Sequence, residues 1–244
     1  MLIIVIAWII GITSFSLLGS WYAHKFGRSD LLFILYVTFI LVSQVLAAKA
    51  AAFSFGPHVF VMPAGVLVFS VTFLLTDIVN EKFGRKETQR MIWLAFLSQI
   101  AMVFFFWIGT AMPAAPFWKL QDAWRQIFSL VPRITAASWA AFLVSENLDA
   151  YIFDRFHRLT GGRHLWARNV FSSLPSLAVD SLVFVPLAFA GVMPLWPLIL
   201  GQVAVKWLTG VIDVPFMYAN RALLLAGENK LDRAGGRGGG PAAG

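Results

Sequence analysis

Seven long apolar segments fill this chain, and at least eight ionisable side chains lie inside them. A membrane span needs about 20 mostly apolar residues, and segments of this kind cover residues 1–21, 31–53, 59–80, 90–112, 127–153, 169–190 and 197–224. Their ionisable residues include Lys49, Asp77, Arg133, Glu146, Asp149, Asp180, Lys206 and Asp213. Because a charge in mid-membrane costs about 2.5–3.5 kcal/mol, this set predicts a protein that moves a polar solute.

The composition is that of a membrane protein. Hydrophobic residues make up 59% of the chain and charged residues 13%, whereas a soluble domain has about 25% charged residues. The predicted fold class is all-α, an integral membrane bundle that crosses the bilayer several times. The chain has no cysteine, which excludes a disulfide framework, a thiolate nucleophile and a thiolate metal site.

The basic residues between the segments predict the orientation in the membrane. Residues 22–30, 81–90, 154–168 and 221–244 carry 14 Lys and Arg and fall on one side, whereas the other side carries only Lys119 and Arg125. Cytoplasmic loops are enriched in Lys and Arg. We therefore expect an extracytoplasmic N-terminus and a cytoplasmic C-terminus, with the net charge of +7 reflecting membrane orientation rather than nucleic-acid binding.

The segments divide the chain into three predicted parts. Residues 1–21 lack a basic start and a small-residue cleavage site, so they predict an uncleaved, additional transmembrane helix. Residues 31–224 form the six-helix core, in which 31–112 and 127–224 would be inverted three-helix repeats. Residues 225–244 are rich in glycine and have almost nothing to bury, which predicts a disordered cytoplasmic tail.

Polar residues recur at helical spacing within the apolar segments. Such stripes predict polar faces turned toward one interior cavity, with Asp77 and Asp180 both facing it. Lys49 and Lys206 should each reach a carboxylate, because an unpaired buried ammonium is costly. The candidate substrate-binding residues are Gln44, Lys49, Asp77, Asn80, Arg133, Glu146, Asp149, Asn169, Ser173, Asp180, Gln202 and Lys206.

The chemistry of these residues suits a planar nitrogen heterocycle. A carboxylate accepts paired hydrogen bonds from a ring N–H and an exocyclic amine, and a lysine or an amide donates to a ring carbonyl. Aromatic residues, 15% of the chain, can stack on the ring, although many aromatic residues of membrane proteins face lipid instead.

Several motifs together form a specific pattern, although each is short. They are VSQVLAAK (42–49), VMPAG (61–65), TFLLTDIVNEKFGRK (72–86), RITAASWAAFL (133–143), ENLDAYIFDR (146–155), RNVFSSLPSLAVDS (168–181) and the residues Gln202, Lys206, Pro215 and Tyr218. Over most of residues 31–220, this combination resembles the queuosine precursor transporter family, within the vitamin uptake transporter group. The chain departs from the family pattern at Gln44, where Asn is expected, and at Pro175.

The resemblance implies a six-helix transporter in the bacterial inner membrane. It would import 7-cyano-7-deazaguanine, 7-aminomethyl-7-deazaguanine or both for tRNA modification, without a cofactor or a metal. The expected partners are this small-molecule substrate and the lipid bilayer but no nucleic acid, and a homodimer remains open. Energy coupling by protons, by facilitated diffusion or by a partner ATPase also stays open.

Two alternatives remain beside import by the chain alone. One is a substrate-capture subunit that works with a separate ATP-driven partner. The other, from a different class, is an intramembrane aspartyl enzyme built on Asp77 and Asp180. The chain has no HExxH, GxSxG or Walker A motif, so the sequence favours a transporter over an enzyme.

Overall fold

A computed structural model describes residues 2–55, 58–160 and 165–224 of the 244-residue chain. Within these ranges it describes all side chains except those at positions 2, 55, 58, 146, 147, 149, 150, 153, 154, 156–160, 165–173, 211–214, 217 and 221. The predicted tail, 225–244, lies outside the described residues, so its disorder stays a prediction.

Helices make up nearly all of the described chain. The elements in chain order are α1 (Leu2–Phe26), α2 (Asp30–Leu46), β1 (Ala50–Phe55), β2 (His58–Pro63), α3 (Val66–Phe83), α4 (Arg85–Ala111), α5 (Gln121–Phe128), α6 (Val131–Thr160), α7 (Leu165–Phe189) and α8 (Leu195–Leu224). The predicted helical fold class is therefore confirmed. The expected first helix, 1–21, continues to Phe26.

Three stretches of the described chain are long and apolar enough to cross a membrane: Ile3–Phe26, Arg85–Ala111 and Gln121–Ser145. Two shorter apolar helices are Asp30–Leu46 and Leu174–Phe189. The outer face of α4 exposes large apolar side chains, among them Trp93, Leu97 and Phe105. Exposing so large an apolar surface to water is unfavourable, whereas lipid chains solvate it. The chain is thus a helical membrane protein.

A β-hairpin replaces two helical turns that the sequence predicts on either side of residue 56. Strands β1 and β2 pair antiparallel, from Ala50 opposite Pro63 to Phe55 opposite His58. The expectation that helices cover 31–53 and 59–80 was therefore wrong at these ends. Apolar runs of this length suit a helix or a buried strand equally, and the sequence Gly56-Pro57 between them is a turn signal that favours the hairpin.

The described structure contains two large apolar cores and a third, smaller cluster at the hairpin, formed by Phe53, Met62 and Val66. The first core is formed by α1, α2, α3, α4 and the end of α8. The second is formed mainly by α6, α7 and the start of α8. Buried members of the first include Tyr36, Leu74, Leu75, Met91 and Leu224. Those of the second include Ile134, Ala141, Phe184, Phe189 and Leu198. Helix α8 therefore passes from one core to the other along its length.

The additional N-terminal helix is fastened to the bundle by buried polar contacts. Trp8 Nε1 donates to the Leu67 carbonyl at 2.9 Å. Ser20 Oγ donates to Asn220 Oδ1 at 2.6 Å, and Asn220 Nδ2 donates to Ser16 Oγ at 3.3 Å. Because these three polar side chains are buried and satisfied by one another, α1 is an integral part of the helical packing.

The hairpin rests on the helices through two glycines that allow backbone to approach backbone. A Cβ on Gly201 of α8 would lie 1.9 Å from the Val61 carbonyl oxygen of β2. A Cβ on Gly65, just before α3, would lie 2.1 Å from the Ser43 carbonyl oxygen of α2. Real Cβ atoms do not approach backbone so closely, so only glycine fits at either place.

Gly201→Ala should destabilise the protein by about 1–3 kcal/mol or more, because the added methyl group overpacks a rigid backbone contact. Gly210→Ala is the matched control on the same helix, since no atom lies within 4 Å of its added Cβ. The control should be neutral or slightly stabilising, because alanine favours helix over glycine by about 1 kcal/mol. Thermal unfolding of the purified variants in detergent measures both, and equal melting temperatures would contradict the hairpin contact.

Candidate functional site

A polar cavity lies where α8 passes between the two apolar cores. Its described lining comes from α2, the hairpin and its junctions, α3, α6, α7 and α8. The lining residues are Ser43, Gln44, Ala47, Pro63, Gly65, Val66, Phe69, Ser138, Asp180, Phe184, Gln202 and Lys206. Elements of both halves of the chain therefore meet at one cavity, with a concentration of polar groups that neither core contains.

A buried ion pair forms one wall of the cavity. Lys206 Nζ donates to Asp180 Oδ2 across the α7–α8 contact. Lys206 is 2% exposed and Asp180 8% exposed. The Lys206 ammonium also lies over the Phe69 ring, 5.5 Å from its centroid. The prediction that Lys206 reaches a carboxylate is thus confirmed, and charge, carboxylate and aromatic face come from three different helices.

Two glutamines line the cavity but differ in their bonding. Gln44 Nε2 donates to Gln99 Oε1 at 3.1 Å, and this buried bond ties α2 to α4. Gln202 is 3% exposed, and its Oε1 has no hydrogen-bond partner among the described residues. A buried polar atom without a partner costs about 1–3 kcal/mol, so Gln202 is the unsatisfied amide of the site.

The cavity is small in this state. The space open to the centre of a water molecule is about 30 Å³, and each water needs roughly 10–15 Å³ of such space. The cavity thus has room for about two to three waters, and a fused two-ring base fits only if its walls move apart. The ion pair, the free amide oxygen and the rings of Phe69 and Phe184 supply a donor, acceptors and apolar faces.

Arg133 and Lys49, two predicted site residues, lie elsewhere. Arg133 Nε donates to the Leu187 carbonyl and its Nη2 to the Ala190 carbonyl, each at 2.8 Å. These bonds satisfy backbone carbonyls that the end of α7 leaves without helical partners. They explain why an arginine lies at position 133. Lys49 is exposed next to β1, and no described carboxylate lies within ion-pair distance of it.

Asp77 and Asn80 lie further along α3. With 3.6 residues per turn, both fall on the helical face that carries Val66 at the cavity. Both side chains are exposed, and neither belongs to the described cavity lining. The structure therefore brings Asp180, Lys206, Gln44 and Gln202 together and leaves Asp77 outside this group. A role of Asp77 in binding stays a prediction.

The remaining predicted site residues lie in helices, but their side chains are outside the described residues. Glu146 and Asp149 belong to α6, and Asn169 and Ser173 belong to α7. Further along α7, Ser176 and Asp180 are described, and both are buried. Their parts in binding stay predictions.

Sequence reasoning missed the hairpin junctions and the aromatic wall. Pro63 and Gly65 line the cavity and lie in the motif VMPAG, whose Pro–Gly content was a sign of a non-helical turn. Phe69 and Phe184 could not be told apart from the many phenylalanines that face lipid. Gln99 is the partner of Gln44. In the sequence it is a single amide within an apolar segment, and this isolation was the only sign that it has a buried partner.

Lys206→Met should destabilise the protein by about 3–5 kcal/mol, because it strands the buried Asp180 carboxylate. Adding Asp180→Leu should recover most of this loss, since apolar residues can replace a buried ion pair at little cost. Thermal unfolding in detergent measures both. Lys119→Met, at an exposed lysine with no described contact, is the control. A Lys206→Met protein that melts like the parent would refute the structural role of the pair.

Comparison with known proteins shows that the chain is similar to transporters. A "Probable queuosine precursor transporter" of Bacillus subtilis (strain 168) is 29% identical over 164 residues, which are 66% of this chain and 72% of the relative. One of Haemophilus influenzae is 28% identical over 149 residues, covering 61% and 59%. The "Queuosine precursor transporter" of Escherichia coli (strain K12) is 26% identical over 129 residues, covering 51% and 54%. No solved structure matches the chain.

The family comparison covers most of the residues that form the cavity. A family model described as "Putative vitamin uptake transporter" matches residues 63–220. This range begins at Pro63 of the hairpin and contains Phe69, Asp180 and Lys206. Because the match extends over more than half of the chain, the protein belongs to the vitamin uptake transporter family.

Proposed function

We propose that this protein imports a queuosine precursor, 7-cyano-7-deazaguanine or 7-aminomethyl-7-deazaguanine, for tRNA modification. The single observation that carries the proposal is the buried Lys206–Asp180 pair in a polar cavity between two apolar cores. A membrane bundle has no structural need for such a cavity. Similarity to three proteins named as queuosine precursor transporters supports the choice of solute.

The cavity's groups match the hydrogen-bonding edge of a 7-deazaguanine. That edge presents a ring N–H and an exocyclic amine as neighbouring donors, with a ring carbonyl beside them. Asp180 can accept from the donors, and Lys206 can donate to the carbonyl. Phe69 and Phe184 offer apolar surface to the flat ring. The hydrogen-bonding edge of either base is itself uncharged, which suits a site whose ion pair is already balanced in charge.

Uptake in a host that cannot make queuosine precursors tests the proposed solute. Expression of this protein should restore queuosine-modified tRNA when 7-cyano-7-deazaguanine or its aminomethyl form is supplied at low concentration. Asp180→Asn should abolish or strongly reduce the gain, because an amide replaces the ionic acceptor at the ligand and at Lys206. The measurement is the modified fraction of the cognate tRNA, with membrane levels of each variant quantified beside it.

Each result of that uptake experiment has a distinct meaning. No gain with the parent protein would refute import of these bases by the chain alone. Binding to the purified protein without uptake would instead indicate a substrate-capture subunit that needs an ATP-driven partner. Guanine as competitor then measures how strongly the site prefers the deazaguanine.

We also propose seven membrane spans, formed by α1, α2, α3, α4, α6, α7 and α8, with the N-terminus outside the cytoplasm. Six of them form the core, as inverted halves, and α1 is the additional span. The basis is the distribution of 14 loop cations against 2. The short α5 lies between α4 and α6 on the side that carries few cations.

Reporter fusions test this topology. Fusions near Lys86 and Gly161 should report a cytoplasmic location, and an N-terminal tag should be accessible only from outside. The physical reason is that basic segments resist translocation. A tag accessible solely from the cytoplasm would contradict the seven-span arrangement, and the two loop fusions control for correct insertion of the core.

A further inference from the structure

Gln202 has a fully buried amide oxygen that accepts no hydrogen bond within the described structure. Gln44, the other amide of the cavity, is held by the bond that its Nε2 donates to Gln99. Three more buried polar atoms of the described residues, Gln121 Nε2, Thr135 Oγ1 and Trp139 Nε1, also lack partners, but none of these residues lines the cavity. Gln202 is therefore the unsatisfied group that a ligand in the cavity can reach.

The position of Gln202 relates it directly to the ion pair. Gln202 and Lys206 are four residues apart on α8, so they stand one above the other on the same helical face, with Cβ atoms about 5–6 Å apart. Lys206 occupies one oxygen of Asp180, and the structure gives no described partner to the other oxygen. Two acceptors from neighbouring helices, Gln202 Oε1 and Asp180 Oδ1, thus remain available in the same cavity.

We infer that Gln202 is a specificity-determining residue, whose amide oxygen accepts the exocyclic amine of a 2-amino-4-oxo heterocycle while Asp180 accepts the adjacent ring N–H. The inference rests on the proposed function and deepens it by naming the atoms of the ligand that are recognised. In the empty protein, the ammonium of Lys206 stands at Asp180 in the place of a ligand donor. On binding, Lys206 remains close enough to donate to the ring carbonyl.

The discrimination arises from the penalty for leaving buried acceptors unpaired. A base without the exocyclic amine fills the same space but gives Gln202 no donor. A site built to hydrogen-bond a substrate N–H rejects analogues that lack it, because the buried polar group then loses both water and partner. Gln202 therefore acts on the choice between bases rather than on binding of flat rings in general.

A cycle of two ligands and two proteins tests the assignment. The ligands are 7-cyano-7-deazaguanine and the same base without its 2-amino group, and binding to purified full-length protein is measured by calorimetry. The parent should bind the deaminated analogue roughly tenfold to a hundredfold more weakly. Gln202→Met keeps the length of the side chain and removes the acceptor, so the two ligands should bind within about threefold of each other.

The controls separate the amide's role from its contribution to folding. Lys119→Met, at an exposed lysine outside the cavity lining, should keep the parent's preference. Gln202→Glu keeps an acceptor and should also keep it, which provides a second measurement if Gln202→Met does not fold. Because the result is a ratio for one protein preparation, partial loss of active protein does not change it.

The outcomes distinguish the inference from the proposed function. A Gln202→Met protein that still prefers the amine-bearing base as strongly as the parent would overturn the assignment. A lost preference in Gln202→Glu would overturn it as well. A parent protein that binds neither base would refute the proposed solute and this inference with it.

Discussion

The cost of holding two charges in an apolar bundle governs the arrangement of this protein. Lys206 and Asp180 are nearly inaccessible to solvent, and each would be costly to bury alone. Their bond fixes the rotation of α7 relative to α8 and places both helices at the cavity. Helix α8 changes from one apolar core to the other at this level, so the polar groups lie where neither core can fill the space.

The hairpin is the second constraint, because backbone N–H and C=O groups without hydrogen-bond partners are not tolerated in lipid. Non-helical backbone at membrane depth needs protein or a water-filled cavity around it. Strand β2 meets this need by lying against α8 at Gly201, and the junction at Gly65 lies against α2. The same contacts bring Pro63 and Gly65 to the cavity wall. The contacts that cover the backbone of the hairpin thus also form part of the cavity wall.

Much of this arrangement could be predicted from the sequence, and the failures have physical causes. Charges in apolar segments indicated buried partners, and Lys206 with Asp180 bears this out. The period of polar residues identified faces but not distances, so it could not separate Asp180, which lines the cavity, from Asp77, which does not. Arg133 was indistinguishable from a ligand-binding cation, because its role depends on where α7 ends.

The hairpin escaped prediction for a different reason. Most residues of the two strands are apolar, and short apolar runs do not distinguish a strand from a helix. A local turn signal was present in Gly56-Pro57, but the contact of β2 with Gly201 on α8 is distant in sequence and has no local pattern. The motif VMPAG contributed through resemblance, yet the reason for its proline and glycine became clear only from the close approach of the two backbones.

The position of α8 at the C-terminal end of the described chain has a consequence for biosynthesis. Strand β2, the second apolar core and the Lys206–Asp180 bond all require α8, yet the ribosome makes it after every other helix described here. Until α8 inserts, Asp180 therefore lacks its lysine partner, and strand β2 lacks its contact with α8. The cavity is the last part to assemble, so a chain interrupted before α8 exposes an unpaired carboxylate and a strand edge, features that cellular quality control can recognise.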